Sequence, residues 1–518
     1  MRKEYFMTKV VINPGTLKNP RILVVTPEIT YLPEGMGNMA NQLKAKAGGL
    51  ADVSASLVSA LYRQGADVHV ALPDYRQIFK VSTNHLLSRE LRMYLAGLND
   101  KRIHLAEDRI FYYRDRIYSS YSTESILAAL AFQREVINNI IPQVNPDLIH
   151  CNDWMTGLIP GMARRLGIPC LFTVHNIHTQ TTTLEQIEDR GIDAATFWKE
   201  LYYERVPAGY EESRSGNPVD LLASGIFAAH FINTVSPTFL EEINQGWFDF
   251  IPHAVRSEIH NKYRAGCASG ILNAPDENQT PTQDPALPEK YNSSNHFEVK
   301  RRLKKIFQQK VGLICDPDAP LFFWPSRLDP VQKGCQLLSE ILFKTLDCHA
   351  HKNMQIAIVA NGAYFEVFER IRNMHNIGDR LAVVPFDNDL SQLGYAASDF
   401  MLMPSLFEPC GLPQMIAPKY GSLPVVHNTG GLHDTVEMLD IQQHRGNGFV
   451  FNDYDPRALA WAIDKALEFY EQPLEVRIRE TARIMEESEQ RFNHDVTARA
   501  YIRIYEEMLQ CPLVVEQD

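Results

Sequence analysis

Short β-branched runs alternate with longer helical patterns over most of this chain, and this alternation restricts its fold more than any other feature. The first half carries strand-like runs at 21–26, 67–72, 147–150, 170–174 and 230–235, the last of which we expect to end the series, and a predicted helix over 49–63. The second half repeats the pattern, with strands predicted at 321–324, 355–359, 381–384, 400–403 and 423–426. Such alternation is typical of parallel sheets covered by helices on both faces. The sequence therefore predicts two doubly wound α/β domains.

A stretch rich in Pro, Asn and Asp separates the two series, between about Gly266 and Asn295. This composition favours a linker or an irregular surface loop. We therefore place an N-terminal domain at 1–268, a second domain at 269–490 and a C-terminal helix within 491–518. The helical pattern leaves the partner of that helix open, with the N-terminal domain as one candidate. Two such domains would face one another across a deep cleft, and clefts of this kind commonly hold ligands.

Composition excludes several classes of function. The 518 residues carry a formal net charge of −12, which argues against nucleic acid as the main partner. The eight cysteines are scattered without a CxxC pair, as expected of reduced thiols. No apolar run is long enough to span a bilayer and no signal-like segment begins the chain. We therefore expect a cytoplasmic protein without a membrane partner.

A basic cluster lies between Lys300 and Lys310, with apolar residues interleaved at helical spacing. The spacing predicts one helix whose charges lie mostly on a solvated face, in preference to a binding patch.

The segment from Met403 to Leu412 places one carboxylate, Glu408, between a buried strand and a helix. Pro409 biases Glu408 away from helical angles, and Pro413 suits the first position of the helix. Ligands of α/β proteins bind at the carboxyl ends of parallel strands. An isolated Glu at such a place is more often a solvated loop residue, so its neighbours must decide its role.

Two paired-glycine segments also stand between a strand and a helix, one in each predicted domain. Gly48 and Gly49 follow Lys46, and Gly430 and Gly431 follow Thr429. Glycines allow close approach of a ligand to the backbone, and free N–H groups at a helix start favour an anion. A conformational role alone would also explain such glycines. The pair nevertheless predicts a phosphorylated ligand gripped between two domains.

Further polar residues follow other strands. Arg327 and Lys333 follow the strand at 321–324, and two nearby cations would neutralise a departing diphosphate. Asp153 and His175 follow two strands of the first series, where a helix-capping or purely structural role is the simpler alternative. Taken together, these strand ends converge on one cleft.

Seven motifs occur here in one order, and together they resemble the bacterial glycogen synthases and plant starch synthases. The motifs are K-x-G-G-L, H-x-x-D-W, T-V-H-N, N-T-V-S-P, S-R-L with Q-K-G, F-E-P-C-G-L and T-G-G-L-x-D-T-V. The likeness covers about residues 21–507. It implies a retaining glucosyltransferase of GT-B architecture, with two Rossmann-like domains. Such an enzyme moves glucose from a nucleotide-diphosphate donor, usually ADP-glucose, to the non-reducing 4-OH of an α-1,4-glucan, without a metal or another cofactor.

The resemblance also implies roles for individual residues. Arg327 and Lys333 would neutralise the donor diphosphate, Glu408 would hold the donor glucose, and His175 and Asp153 would lie near the reacting carbon. The remaining residues expected at the donor and acceptor sites are Lys46, Gly48, Gly49, Asp52, Asn273, Phe386, Cys410, Gly411, Leu412, Thr429, Gly430 and Gly431. Among these, Phe386 would stack on the nucleotide base. No evident protein nucleophile is present, so we favour attack by the acceptor on the leaving-group face.

The chain departs from the family pattern around the expected donor site. Leu406 and His427 stand where the family usually has Arg, and Pro418 lies inside the helix expected after Glu408, where it should kink the axis. The segment from Glu28 to Lys46 is longer than in related chains, and a lid or an acceptor contact is our hypothesis for it. UDP-glucose as donor, another acceptor, or a glucan-binding paralogue of low turnover therefore remain as alternatives. A nucleotide-dependent oxidoreductase is disfavoured, because no GxGxxG follows the first strand.

Overall fold

Two parallel β-sheets organise the computed structural model, which describes residues 19–37, 43–79, 102–119 and 122–514. The first sheet has the order β3-β2-β1-β4-β5-β8-β9, and a separate two-stranded antiparallel pair joins β6 to β7. The bounds are β1 (Arg21–Val25), β2 (Asp67–Pro73), β3 (Ile103–Ala106), β4 (Leu148–Asn152), β5 (Cys170–Val174), β6 (Thr181–Thr182), β7 (Val219–Asp220), β8 (Phe231–Thr234) and β9 (Ala268–Gly270).

The second sheet has six strands in the order β12-β11-β10-β13-β14-β15, and all its pairs are parallel. Its members are β10 (Leu321–Trp324), β11 (Gln355–Val359), β12 (Leu381–Val384), β13 (Phe400–Met403), β14 (Leu423–His427) and β15 (Phe449–Phe451). Both sheets reverse their strand order beside a central strand, β1 and β10 respectively. Crevices at such reversals are the usual ligand sites of doubly wound folds. The two parallel sheets confirm the prediction of two α/β domains.

Helices cover both sheets. Those of the first half are α1 (Gly49–Arg63), α2 (Arg109–Tyr112), α3 (Ser122–Glu135), α4 (Ile141–Val144), α5 (Ile159–Leu166), α6 (Leu184–Asp189), α7 (Tyr210–Gly216), α8 (Leu221–Ala228), α9 (Pro237–Gln245) and α10 (His253–Arg264). Those of the second half are α11 (His296–Val311), α12 (Cys335–Cys348), α13 (Phe365–Met374), α14 (Asn388–Ala397), α15 (Pro413–Lys419), α16 (Gly430–Thr435), α17 (Pro456–Tyr470), α18 (Leu474–Arg491) and α19 (His494–Leu509). Among the described helices, none has both the length and the apolar character needed to cross a bilayer.

Strand prediction failed at three places in the two parallel sheets. The run at 230–235 does not end the first series, because β9 pairs with β8 beyond it. Strands β3 and β15 were not predicted at all. The three missed strands have only three or four residues each, and β9 consists of Ala, Ser and Gly, which carry little strand preference of their own. Pairing with a neighbouring strand therefore decides their conformation.

The helix after Glu408 begins at Pro413 as predicted and ends at Lys419, so Pro418 lies in its last turn. The kink expected at Pro418 stays a prediction.

The basic cluster on α11 is only partly solvated, so that prediction is wrong for two of its lysines. Lys300 and Lys304 are buried, because they lie on the same helix face as Val299, Leu303 and Phe307. The Lys300 ammonium donates to the carbonyl oxygens of Ala396, Ser398 and Tyr420 at 2.8–2.9 Å. The charge pattern alone did not show that these two lysines turn towards buried carbonyl groups.

The hydrophobic core divides into an N-terminal and a C-terminal part. One cluster joins residues 22–271 with 498–513, and two further clusters on the faces of the second sheet take residues 287–485. Helix α19 therefore packs on the N-terminal domain, where Tyr505 Oη lies 2.7 Å from Nδ1 of the buried His150. The stretch before α11 is irregular but anchored, since Tyr291 Oη donates to the Tyr420 carbonyl at 2.8 Å.

Candidate active site

A buried ion pair stands at the carboxyl end of β13. Lys333 Nζ donates to Glu408 Oε2 at 2.6 Å, and Ser405 Oγ donates to the same oxygen at 3.1 Å. Glu408 is 5% exposed and Lys333 is 9% exposed. Among the described residues, both bonds use Oε2, which leaves Oε1 available to accept from a ligand hydroxyl. The pair thus presents a fixed carboxylate beside a cation, and the roles expected for Lys333 and Glu408 toward a donor stay predictions.

The loops that carry these two residues are tied together. The Leu406 N–H donates to the Gln332 carbonyl at 2.8 Å, so the Glu408 loop and the Lys333 loop share a backbone bond. His427 is buried and its Nδ1–H donates to the Ser405 carbonyl at 2.8 Å. Both departures from the family pattern, Leu406 and His427, therefore support the loop that positions Glu408.

Asp153 and His175 lie together at the ends of β4 and β5. Asp153 accepts from the His175 N–H at 2.8 Å and from Asn176 Nδ2 at 3.0 Å. His175 Nε2–H donates to Asn152 Oδ1 at 2.9 Å, which leaves Nδ1 as an acceptor. Asp153 has a positive φ of 57°, a strained conformation for a residue with a Cβ. Strain of this kind is concentrated at functional sites.

Burial controls the charge of this pair. Burial, assisted by the negative charge of Glu28, raises the pKa of Asp153 to about 7 despite its hydrogen bonds. Burial lowers the pKa of His175 to about 3, so the imidazole is neutral at physiological pH. The site therefore offers a neutral histidine next to a carboxyl group that titrates near neutrality.

The paired glycines of the N-terminal domain are organised by Glu28. Its carboxylate accepts from the N–H groups of Ala47 and Gly48 at 2.6 and 3.0 Å and from Tyr118 Oη at 2.9 Å. The Gly48 amide, which we expected to face a diphosphate, is thus engaged within the protein. Glu28 and Tyr118 were missed as site residues, although Glu28 lies only three residues beyond the end of β1.

Lys46 and Asp52 form an ion pair at 2.8 Å beside this loop. The Lys46 side chain is 51% exposed, so it can still reach a ligand at the mouth of the cleft. Asp52 also accepts from Thr30 Oγ1 at 2.6 Å, which fixes its carboxylate.

The two domains meet at the predicted motifs. A Cβ atom on Gly49 would lie 3.5 Å from Cδ1 of Leu412, so the glycine loop of one domain contacts the Glu408 segment of the other. The backbone N–H of Asn273 faces the thiol of Cys410, and burial raises the pKa of that thiol to about 12. Asn273 Oδ1 is buried without a hydrogen-bond partner in the described part of the chain. A buried polar atom of this kind is usually satisfied by a water or a ligand.

A second pair of contacts joins the domains through helix ends. Glu242 of α9 accepts from Thr429 Oγ1 and from the Gly430 N–H, both at 3.0 Å. Asp434 of α16 accepts from the Thr238 N–H at 3.2 Å. The Gly431 N–H donates to the Glu408 carbonyl at 2.9 Å. The amides of Gly430 and Gly431 are therefore held by protein acceptors, and binding of a phosphate there would require these bonds to break.

The expected nucleotide side lies around Arg327 and Phe386. The Arg327 side chain is exposed, and Phe386 is 50% exposed. Asn361 links their loops, because its side chain accepts from the Phe386 N–H at 3.1 Å and its carbonyl accepts from the Leu328 N–H at 2.9 Å. Asn361 was not identified from the sequence. Gly411 has a φ of 72°, which a residue with a side chain rarely adopts.

Comparison with known proteins identifies the family of this chain. The model described as "Starch synthase catalytic domain" matches residues 21–254, and that described as "Glycosyl transferases group 1" matches residues 307–485. A glycogen synthase of Syntrophotalea carbinolica is 33% identical over 463 residues, covering 83% of this chain and 90% of that protein. A glycogen synthase of Bacillus subtilis is 30% identical over 488 residues, covering 89% of this chain and 95% of that protein.

Solved structures show the same fold. The catalytic domain of starch synthase IV from Arabidopsis thaliana, bound to ADP and acarbose, has a TM-score of 0.75 at 24% identity and covers 95% of this chain and 100% of that one. Anabaena HepE in complex with UDP and glucose has a TM-score of 0.53 at 15% identity, covering 94% and 99%. The motifs, the two facing sheets and the relatives agree: this chain belongs to the glycogen synthase and starch synthase family of GT-B glycosyltransferases.

Proposed function

We propose that this protein transfers glucose from ADP-glucose to the non-reducing end of an α-1,4-glucan with retention of configuration. The observation that carries the proposal is the buried Lys333–Glu408 pair, which stands beside the contact of Gly49 with Leu412. A fixed cation next to a fixed carboxylate, at the junction of two domains, suits a diphosphate bound next to a sugar. The glycogen synthases among the relatives and the ADP-bound starch synthase structure support the same assignment.

In this mechanism the donor diphosphate binds Lys333 and Arg327. Negative charge accumulates on the diphosphate as the glycosidic bond breaks, and preorganised cations stabilise that charge more in the transition state than in the ground state. Glu408 Oε1 accepts from donor-glucose hydroxyls, while Lys333 donates to Oε2 of the same carboxylate. The cations and the sugar ligand therefore act on opposite ends of the bond that breaks.

Retention follows if the acceptor 4-OH attacks from the face that the phosphate leaves. The departing phosphate oxygen then takes the acceptor proton, and the protein supplies position and charge. The buried groups around the site suit this route, because Asp153 uses both carboxylate oxygens for hydrogen bonds and the Cys410 thiol stays protonated. His175 Nδ1 is an acceptor for a sugar hydroxyl.

Transfer also requires that water is excluded from the cleft, since water in an open cleft would hydrolyse the donor. The Glu242–Gly430 and Asp434–Thr238 bonds hold the domains together at one side of the cleft. We expect a donor to enter from the side of Arg327 and Phe386, where both side chains are exposed.

A transfer assay with labelled donor tests the proposal. Purified protein is incubated with glycogen and either ADP-glucose or UDP-glucose, and the label in precipitated polymer is counted. We expect incorporation from ADP-glucose, release of the label by an exo-acting α-1,4-glucosidase, and strongly reduced incorporation by Glu408→Ala. Preference for UDP-glucose would favour the alternative donor. Binding of glycogen without transfer from either donor would favour a glucan-binding paralogue and overturn the proposal.

A further inference from the structure

Two open grooves meet on the C-terminal domain. Of the residues described at the candidate active site, Asp434 of the domain contact lines one groove, whereas Lys333, Glu408, Asp153 and His175 line neither. The groove volumes are about 550 and 380 Å³, and both grooves are lined by Val450, Asn452 and Trp461. Asn452 directly follows β15, the edge strand of the second sheet, and Trp461 lies on α17, which packs against it. Small-molecule sites usually have volumes of roughly 300–1,000 Å³, so the joined grooves can hold an extended ligand.

Trp461 provides an exposed aromatic ring in both grooves. It is 45% exposed, although α17 buries Leu459, Ala462 and Ile463 on its other face. The core therefore does not require a tryptophan at this position. Lys465 Nζ lies 6.0 Å from the indole centroid, one turn further along the helix. Because Trp461 borders both grooves, a bound chain that crosses from one to the other must pass the indole.

Polar side chains of the same grooves are joined by hydrogen bonds. His433 Nδ1–H donates to Asn428 Oδ1 at 2.8 Å, and Asn428 Nδ2 donates to Asn452 Oδ1 at 2.8 Å. In the part of the chain that the structure describes, no protein acceptor takes Asn452 Nδ2, so this amide remains a donor for a ligand. Glu437 and Arg491, both exposed, add an acceptor and further donors.

We propose that these joined grooves bind a segment of α-1,4-glucan chain, as a second carbohydrate site distinct from the site of transfer. An aromatic face flanked by amides and charged groups suits a sugar ring, which has apolar C–H faces and a rim of hydroxyls. The lining carries the carboxylates of Asp434, Glu437, Asp453 and Asp455 against the guanidinium groups of Arg457 and Arg491, and this negative balance disfavours a polyanion in the same place. The identity of the polymer rests on the proposed function.

The position of the grooves suggests how such a site would act. Asn428 immediately precedes Thr429, and α16 contributes His433 and Asp434 to the groove while its Gly431 N–H donates to the Glu408 carbonyl. Glycogen carries many chain ends on one particle, so holding one branch raises the local concentration of the others at the transfer site. Loss of the site should therefore weaken transfer to a branched polymer and leave transfer to a short acceptor unchanged.

Affinity electrophoresis tests binding separately from catalysis. Wild-type protein, Trp461→Ala, Trp461→Phe and the control Phe343→Ala are run in native gels with and without glycogen. Phe343 is a matched control, because it is 38% exposed on α12 of the same domain. We expect Trp461→Ala to lose about tenfold in glycogen affinity, as for loss of one aromatic contact. Trp461→Phe should retain most of the affinity, and Phe343→Ala should behave as wild type.

Kinetics with two acceptors completes the test. Trp461→Ala should raise the KM for glycogen and leave kcat/KM for maltotriose unchanged. Unchanged retardation of Trp461→Ala in the gel would overturn the proposed groove, whatever the catalytic result. Equal losses on glycogen and maltotriose would also overturn it, because they would place the effect in the transfer site. Absence of any transfer by the wild type would instead reject the proposed function, and the gel result would still decide whether the groove binds glucan.

Discussion

Glu242 of the N-terminal domain accepts a hydrogen bond from the backbone N–H of Gly430 in the C-terminal domain, at 3.0 Å. In the opposite direction, Asp434 of the C-terminal domain accepts from the Thr238 N–H at the start of α9, at 3.2 Å. Each domain thus supplies a carboxylate to the N-terminus of a helix in the other. Negative charge at a helix N-terminus is favourable, because it satisfies free N–H groups and the helix dipole.

The first prediction concerns this reciprocal capping. Glu242→Ala should weaken the domain contact and lower kcat/KM for transfer by about tenfold, since it removes an interdomain cap worth ~1–2 kcal/mol. Small-angle scattering should show a larger radius of gyration for the variant. Glu241→Ala, at the exposed neighbouring residue, is the control. Wild-type dimensions and kinetics in Glu242→Ala would show that the cap does not hold the domains.

The second prediction concerns the buried ion pair. Lys333→Ala and Glu408→Ala should each raise the barrier to transfer by about 2–4 kcal/mol, as for other preorganised charged groups. Lys333→Ala should also lower the melting temperature, because it leaves the buried Glu408 carboxylate without its partner.

Arg327→Ala separates the two effects of that change. Its side chain is exposed, so its removal should reduce transfer without a change in thermal stability. Kinetics and thermal unfolding of the three variants check this together. Wild-type turnover in any of them would refute the role of that residue.

The third prediction concerns the pH dependence of stability. Burial raises the pKa of Asp153 from its ordinary value of 3.8 to about 7. The folded protein therefore keeps the Asp153 proton at pH values where the unfolded chain has lost it. This contribution to stability is complete below about pH 4 and is lost as the pH rises through about 7. The melting temperature of the wild type should thus fall relative to that of Asp153→Asn between about pH 4 and 8.

Asp189→Asn provides the reference for this measurement, because Asp189 is exposed. Its melting temperature should follow that of the wild type at every pH. A constant difference between the wild type and Asp153→Asn over this range would contradict the raised pKa.

The fourth prediction concerns a close approach of two backbone segments. A Cβ atom on Gly431 would lie 2.0 Å from the Cys410 carbonyl oxygen, so Gly431→Ala must displace the segment that carries Glu408. We expect a loss of stability of about 1–3 kcal/mol, as for overpacking, together with reduced transfer. Gly209→Ala is the matched control, since nothing lies within 4 Å of its added Cβ. Equal behaviour of the two variants in kinetics and thermal unfolding would exclude the clash.

The sequence predicted the elements whose signals are local. Strands β5, β10, β11, β12 and β13 have the predicted bounds, because each is a short apolar or β-branched run between turn residues. The residues at their carboxyl ends were identified for the same reason. Asp153 and His175 lie together, and so do Lys333 and Glu408, because parallel strands end at one edge of a sheet.

Features that depend on distant partners were not predictable in this way. Glu242 and Gly430 are 188 residues apart, and no local pattern marks a glutamate in an amphipathic helix as the cap of another helix. The burial of Lys300 depends on carbonyl groups about 96–120 residues away, which periodicity does not reveal.

The long loop after Glu28 is partly described. Met36 is buried, and an antiparallel β-bridge pairs Ile29 with Ala45. Residues 38–42 lie outside the described residues, so its role as a lid or an acceptor contact stays a prediction.

The return of α19 to the N-terminal domain has a consequence for biosynthesis. His150 and Tyr505 are separated by 355 residues, and the cluster around them needs residues up to Leu513. Domains commonly fold in the order in which the ribosome releases them. In this chain the order is reversed. When synthesis has reached residue 485, the two clusters of the second sheet are complete, while the N-terminal cluster still lacks α19. A nascent chain that stalls before α19 therefore exposes the core of the domain that was made first, and a short truncation at the C-terminus damages the N-terminal half.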